Sequence, residues 1–457
     1  MKKTLLTFLA VLAFAPSFAS HNMGGQITAR HLGGTSYEVT LIIYRDYAGI
    51  PMGPSYNVGI QEIGGTRYTT TRPKTPILIG SVNGLEQYAC IDTVSLSAGK
   101  YKMEFSDCCR SVLSNGGGNS TPMSLSAEFT VTTLGGAITT NSTPVFLNQP
   151  ISLTQVNTPY SYNPMPYDAD GDSLAWSLVP PIGFTNYTLP PGSAPFVIDS
   201  LTGLITWTPS LSGIYAICVL VSEYRNGIKI GEIMRDMHLS AMPATAVRPT
   251  INTANIPTNA RGIFLFDAPV GYPLNVSIIA TATAPNVNYP LNLSATGEPF
   301  FLASNPAVFP DANGVDSIQS IFSWSPNVSQ IRKKPYIVNF RVLQIHQTDV
   351  FGYDFTGVVT VRPSGVANQN LEIDNQLSIY PNPSNGSFAV SFLLEKPSQT
   401  TIAIQDMATK TSRNVLTKQL PFGKNVLLFQ DLNLAKGVYL VQITTENKTT
   451  TQKLVVE

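Results

Sequence analysis

Charge is what this chain has least of. Only 12% of its 457 residues are Asp, Glu, Lys or Arg, against the roughly 25% usual for a soluble protein. The 28 basic and 28 acidic residues cancel. No basic stripe stands ready to neutralise phosphates, so nucleic acid is excluded as a partner. Histidine and cysteine are scarce as well, at four each. They form no CxxC pair and no cluster with zinc spacing. The catalytic signatures GxSxG, HExxH, GxxxxGK[ST] and GxGxxG are all missing. Beyond the N-terminus no apolar run approaches the ~18 residues of a membrane-spanning helix. The strong helix formers do not dominate the composition.

What fills the chain instead is hydrophobic residues at 43%, with 34 Gly and 34 Pro. That much apolar material excludes a highly charged disordered chain. Frequent proline excludes long helices. Tyr37–Tyr44 is a β-branched and aromatic run that breaks at a turn through Gly49. Arg225-Asn226-Gly227 sits between two such runs, and Asn-Gly there signals a tight hairpin. Short strands with recurrent turn signals predict an all-β chain of tandem β-sandwiches.

The N-terminus reads as a secretory signal peptide over residues 1–19. Lys2 and Lys3 precede an apolar stretch, and Ser17-Phe18-Ala19 supplies small residues for cleavage. Losing those lysines takes the basic count from 28 to 26 against 28 acidic residues. An exported chain tolerates disulfides. Cys90 with Cys108 or Cys109 would close a loop of roughly 18 residues, worth about 3 kcal/mol by chain entropy. Cys218 lies in a continuous apolar run and reads as a core thiol.

An internal repeat follows. Gly203-Leu-Ile-Thr-Trp207-Thr-Pro209 is echoed by Ile321-Phe-Ser-Trp324-Ser-Pro326, and each is succeeded by a tyrosine and a long β run, at Tyr215 and Tyr336. The expected organisation is an N-terminal β domain (20–145), two Ig-like or cadherin-like domains (146–245 and 246–363), a linker (364–376) and a final β-sandwich (377–457).

That final unit carries the most specific motifs. Tyr380-Pro381-Asn382-Pro383-Ser384-Asn385-Gly386 opens it. Lys436-Gly437-Val438-Tyr439 follows, and Lys453-Leu-Val-Val456 ends it. These blocks closely resemble the type IX secretion system C-terminal sorting domain of Bacteroidota. The resemblance implies export through an outer-membrane translocon, removal of the domain by a sortase-like peptidase, and release or attachment to surface lipopolysaccharide. One departure is that Asp406-Met407-Ala408-Thr409 lacks the glycine often found in a mid-domain Asp-x-x-Gly turn. The N-terminal blocks, Met23-Gly24-Gly25-Gln26, Tyr44-Arg45-Asp46 and Cys108-Cys109-Arg110, look like the start of large gliding-motility and PKD-type surface proteins. Asp168 to Leu174, Asp199, Gly203 and Trp207 resemble the cadherin-like modules of bacterial surface proteins.

Few constellations offer chemistry. Asp168-x-Asp170-Gly171-Asp172 places three carboxylates on a loop that Gly171 lets bend, which suits a hard cation such as calcium. Asp199 and Glu223 would join it only if the fold brings them near. Glu104 and Asp107 would suit a carboxylate pair of the glycosidase kind, though three residues apart on a short segment they also read as a solvated face. Tyr160, Tyr162, Tyr167 and Tyr187 cluster in sequence and would suit a glycan platform if exposed. The leading expectation is an exported, non-enzymatic surface protein for display or adhesion. Its alternatives are a module that captures extracellular polysaccharide and a hydrolase in the N-terminal domain.

Overall fold

The computed structural model describes residues 22–456 except 109, 111–112, 118–120, 135–136, 140, 244–247, 253–255, 260, 283–288, 347–348, 364–376, 381, 395–396, 421–422, 430–431 and 446–447. The expected signal peptide, the 364–376 linker, Cys109 and Pro381 therefore lie outside the described residues. Among the described residues, apart from two short 3-10 turns at Glu298–Phe301 and Val328–Gln330, the elements are β-strands. The chain is all-β, as its composition predicts. It divides into two compact units, 1–362 and 363–457.

The first unit is organised around one strand. Ile228–Met242 pairs along its length with Gly213–Arg225, as the second arm of the predicted hairpin. Asn226 and Gly227 both have positive φ, 53° and 79°, the requirement of a type I′ turn. The opposite edge of the strand serves three partners in turn. Glu232 and Ile233 pair with Met123–Leu134, Arg235 to Met237 pair with Asn22–Gly33, and Ser240 to Met242 pair in parallel with Leu153–Gln155. N-terminal strands and first-repeat strands thus share a 13-stranded sheet. One hydrophobic cluster runs from Ile27 and Leu41 through Phe129 to Trp207 and Val219. The boundary expected between 145 and 146 falls inside this shared sheet and core.

The two repeats are built alike. In each, an early strand lies parallel to the last one, Leu153–Gln155 with Ile228–Met242 and Phe264–Pro269 with Asp349–Arg362. Trp207 and Trp324 are both buried, and their indole N–H groups donate to Pro191 and Asn305 carbonyls. The echoed tyrosines pack edge-on against them, with ring centroids 5.4 Å apart for Tyr215 and 5.0 Å for Tyr336. Each tyrosine hydroxyl then donates back to a carbonyl upstream, at Leu211 and Gln330. The repeated sequence is therefore a repeated packing unit, an aromatic pair plus one satisfied hydroxyl. In the second repeat a five-stranded and a three-stranded sheet enclose a separate core around Phe264, Phe322 and Phe340.

The C-terminal unit is a smaller sandwich. A three-stranded sheet holds Ser378–Tyr380, Phe388–Leu394 and Gly423–Phe429. A four-stranded sheet holds Ser398–Asp406, Ser412–Leu420, Gly437–Thr445 and Lys448–Val456. Alternate residues of the strands, including Ile402, Ile404, Val441 and Ile443, fill the space between the sheets.

Candidate functional site

The N-terminal motifs serve the joint around Ile228–Met242. Gly24 and Gly25 cross between that strand and Ser36–Asp46. A Cβ on Gly24 would lie 2.1 Å from the Asp236 carbonyl oxygen, and one on Gly25 would lie 2.3 Å from that of Ile42. Only glycine fits so close an approach. Arg110 and Asp236 form a fully buried two-pronged ion pair, with Nη1 donating to Oδ1 at 2.8 Å. His238 lies beside them, 3.4 Å from Arg110. Burial and the Arg110 charge hold its imidazole well below the ordinary value, so it is neutral. Gln26 accepts from Tyr44 and from buried Arg235, which also donates to the Tyr162 hydroxyl at 2.6 Å. Arg45 donates to the Ile50 carbonyl and pairs with Glu86. These polar groups hold strands together.

The other expected pairings come apart. Glu104 is exposed and paired with Lys102, while Asp107 accepts from Asn22 and from the Cys108 backbone N–H. Tyr160 and Tyr162 are core residues, so they form no platform. Cys90 is corrected as a disulfide candidate, because it is a free, buried thiol, as is Cys218. It sits on Leu85–Ser95, whose sheet neighbours are Ser36–Asp46 and Ile77–Val82, whereas Cys108 follows Gly99–Asp107, which pairs elsewhere. Burial pushes both thiols up. Cys108 is disulfide-bonded, and Cys109, the other candidate, lies outside the described residues.

The acidic loop assembles differently from its spacing. Asp168 Oδ1 accepts the backbone N–H groups of Asp170 and Asp172, at 3.0 and 2.9 Å, which folds the loop over itself. Asp170 points outward and accepts from the Ser142 N–H. Asp199 lies in another turn, where it caps the Leu201 and Thr202 N–H groups and pairs with Arg261. In their place comes Glu223. Strand Ser173–Val179 pairs with Gly213–Arg225 so that Leu174 lies opposite Glu223. Asp172, two residues before Leu174, therefore faces the same side as Glu223. Gly231 lies opposite Glu223 on its other flank. A Cβ there would come within 2.8 Å of a Glu223 carboxylate oxygen, so the absent side chain makes the room.

Three carboxylates result, with one oxygen each from Asp168, Asp172 and Glu223 mutually within 4.8 Å. Arg225 forks onto Asp172, with Nε donating to Oδ1 at 2.8 Å, and also donates to Asn141 Oδ1 at 2.6 Å. Asp168 Oδ2 and Glu223 Oε1 are buried without a hydrogen-bond partner. Burial and then the nearby Asp168 charge push Glu223 up to about 9, so its carboxyl holds a proton at neutral pH. Burial raises Asp168 too. Asp168 and Asp172 line a cleft of about 270 Å³ that also takes in Tyr167, Trp176, Arg332 and Lys334. Leu174 betrays nothing of this in sequence. Its register opposite Glu223 is what meets the condition that the fold bring that residue near.

In the C-terminal unit the opening and closing motifs meet. Asn382 Nδ2 donates to the Lys453 carbonyl at 2.7 Å, and Asn382 Oδ1 accepts the Val455 N–H at 2.8 Å. Its side-chain amide thus takes the place of a neighbouring strand for the final strand. The Ser384 N–H donates to the Val455 carbonyl at 2.9 Å. Asn382, Pro383, Lys436 and Lys453 are exposed, while Tyr439 is buried and its hydroxyl donates to the Ala435 carbonyl. Gly386 has φ of 101°, in the turn that leads into Phe388–Leu394. Gly437 begins the strand that pairs with the final one. Asp406 caps the Ala408 and Thr409 N–H groups, and the left-handed position of that turn falls on Lys410, with φ of 61°.

Among solved structures, Sidekick-1 immunoglobulin domains 1–4 align with 93% of this chain and 95% of their own, at 12% identity and a TM-score of 0.18. Zebrafish RET cadherin-like domains 1 to 4 align with 68% of this chain and 72% of theirs, at 12% identity and 0.17. The periplasmic chaperone SfaE aligns over 46% of this chain and 100% of its own, at 12% identity and 0.21. The fold assignment rests on the sheets themselves. No curated protein matches the chain. Among the described residues no helix is long and apolar enough to cross a membrane. Residues 378–457 match the family described as the secretion system C-terminal sorting domain. The chain therefore carries a type IX sorting domain at 378–457 and is exported to the cell surface or secreted.

Proposed function

We propose that this protein is a non-enzymatic display module, with residues 22–362 as the displayed β-sandwich unit and the C-terminal unit as its address. One observation carries the reading. The residues that match the sorting domain make a compact unit with its own core, in which Asn382 ties the opening motif to the last strand. A translocon can recognise such a unit whatever precedes it. In this reading the partners are the type IX translocon and its sortase-like peptidase. The displayed unit then stays on surface lipopolysaccharide or is released, and adhesion would use the loops of its sandwiches.

The test is cell fractionation with and without the C-terminal unit. Deleting 377–457 should leave the remainder in the periplasm, folded and protected from external protease. Surface display at the level of the full chain would overturn the proposal.

A further inference from the structure

We infer that Asp168, Asp172 and Glu223 form a site for a hard divalent cation, with calcium as the probe. The set differs from the acidic loop alone, because Asp170 is turned away and Glu223 arrives from a strand some fifty residues on.

Three features point to a ligand. The first is oxygen that nothing in the protein satisfies. Asp168 is only 8% exposed and Glu223 is 0% exposed, and each keeps one carboxylate oxygen unpartnered. A buried carboxylate oxygen left that way costs free energy that a proton or a cation relieves. The second is charge. The three carboxyl groups have one guanidinium close by, that of Arg225 on Asp172, so a divalent ion that takes the place of the Glu223 proton balances the set. The third is donor chemistry. The cluster offers only oxygen, and among the described residues no histidine or thiol joins it, which selects calcium-like ions over zinc or copper. The protein supplies fewer oxygens than the six to eight calcium takes. Water enters through the cleft that Asp168 and Asp172 line, of about 270 Å³.

Gly231 and Arg225 make the arrangement specific. Gly231 clears the space beside Glu223. Arg225 fixes Asp172 in one orientation through two hydrogen bonds. A cation there ties the loop before Ser173–Val179 to the tip of the long hairpin.

Calcium titration of the whole secreted chain, read by calorimetry and by the thermal midpoint, tests this. The whole chain is needed because the first repeat shares its sheet with the N-terminal strands. The expected result is saturable binding that raises the midpoint. Glu223→Gln, an isosteric change, should weaken binding at least tenfold, as should Asp172→Asn. Asp170→Asn should leave it unchanged. Circular dichroism checks that the variants fold. No binding or midpoint shift up to about 10 mM calcium, above the roughly millimolar affinities of extracellular calcium modules, overturns the site. So does binding that Asp170→Asn abolishes and Glu223→Gln does not, because the ion would then sit on the loop alone.

Discussion

Replacing Asp236 with asparagine tests whether the N-terminal strands and the first repeat are one cooperative structure. Asp236 and Arg110 are 0% exposed at their side chains, and they join two segments 126 residues apart. Asparagine keeps the shape and removes the charge. The Arg110 guanidinium then stays buried without a counter-ion, which costs about 3–5 kcal/mol. His238 offers no relief, since it is neutral and itself an inhabitant of the same buried pocket. That loss is a large share of the ~5–15 kcal/mol that typically stabilises a domain. With a urea m value of about 2–3 kcal/mol/M, the midpoint should fall by about 1–2.5 M. Replacing both partners together, as Arg110→Met with Asp236→Leu, should recover most of it, because two apolar groups leave no orphan charge. Urea unfolding followed by hydrogen exchange reads both regions at once. Amides of Ile27 and Leu41 report the N-terminal strands, and those of Val219 and Ile233 report the hairpin. Both sets should lose protection together in Asp236→Asn. A loss below about 1 kcal/mol would refute the energetics. Loss of protection confined to one set would refute the idea of a single cooperative structure.

One further prediction concerns the C-terminal unit and another the response to acid. Lys410 occupies a left-handed conformation that costs a residue with a Cβ about 1–2 kcal/mol, so Lys410→Gly, after the entropy glycine adds to the unfolded chain, should stabilise the C-terminal unit by about 0.5–1 kcal/mol. All three tryptophans, Trp176, Trp207 and Trp324, lie outside that unit, so exchange at the Ser398–Asp406 and Ser412–Leu420 amides is the measurement, and unchanged or faster exchange counts against the turn argument. Stability should also fall in two acid steps. His238 stays neutral when folded, so the unfolded chain gains a proton that the folded one does not as pH drops through about 6.5. Asp92 is held below its ordinary value by the Arg72 hydrogen bond, so its stabilisation is full above about pH 3.9 and is lost as pH falls further. His238→Gln should flatten the first step and Asp92→Asn the second; a first step that survives in His238→Gln would assign it to another group.

Much of the architecture is legible in the residues. Alternation and β-branching announce strands such as Tyr37–Tyr44. Asn226-Gly227 names its own turn, since both residues tolerate positive φ. The Trp207 and Trp324 echo predicts two related modules, and the tyrosines that follow prove to be the edge-on partners of those indoles. The sorting motifs are likewise local, each a few residues long. These features are short-range, because backbone preference and turn chemistry act over a handful of neighbours.

Long-range pairing is another matter. Nothing local says that Gly24 must pass beneath Asp236, or that one strand, Ile228–Met242, will carry three partners on a single edge. Cys90 looks like a partner for Cys108 from loop length, yet the strand order keeps their sheet neighbours different. Tyr160 and Tyr162 cluster in sequence without showing whether they are exposed, and both are core. Glu223 shows the difference most clearly. Composition, turn chemistry and local motifs suffice for a β-sandwich chain with an export address and an acidic loop. Which carboxylates meet depends on the folded chain, because register across a strand pair sets the face each side chain takes, and a shift of one residue would have turned Glu223 away.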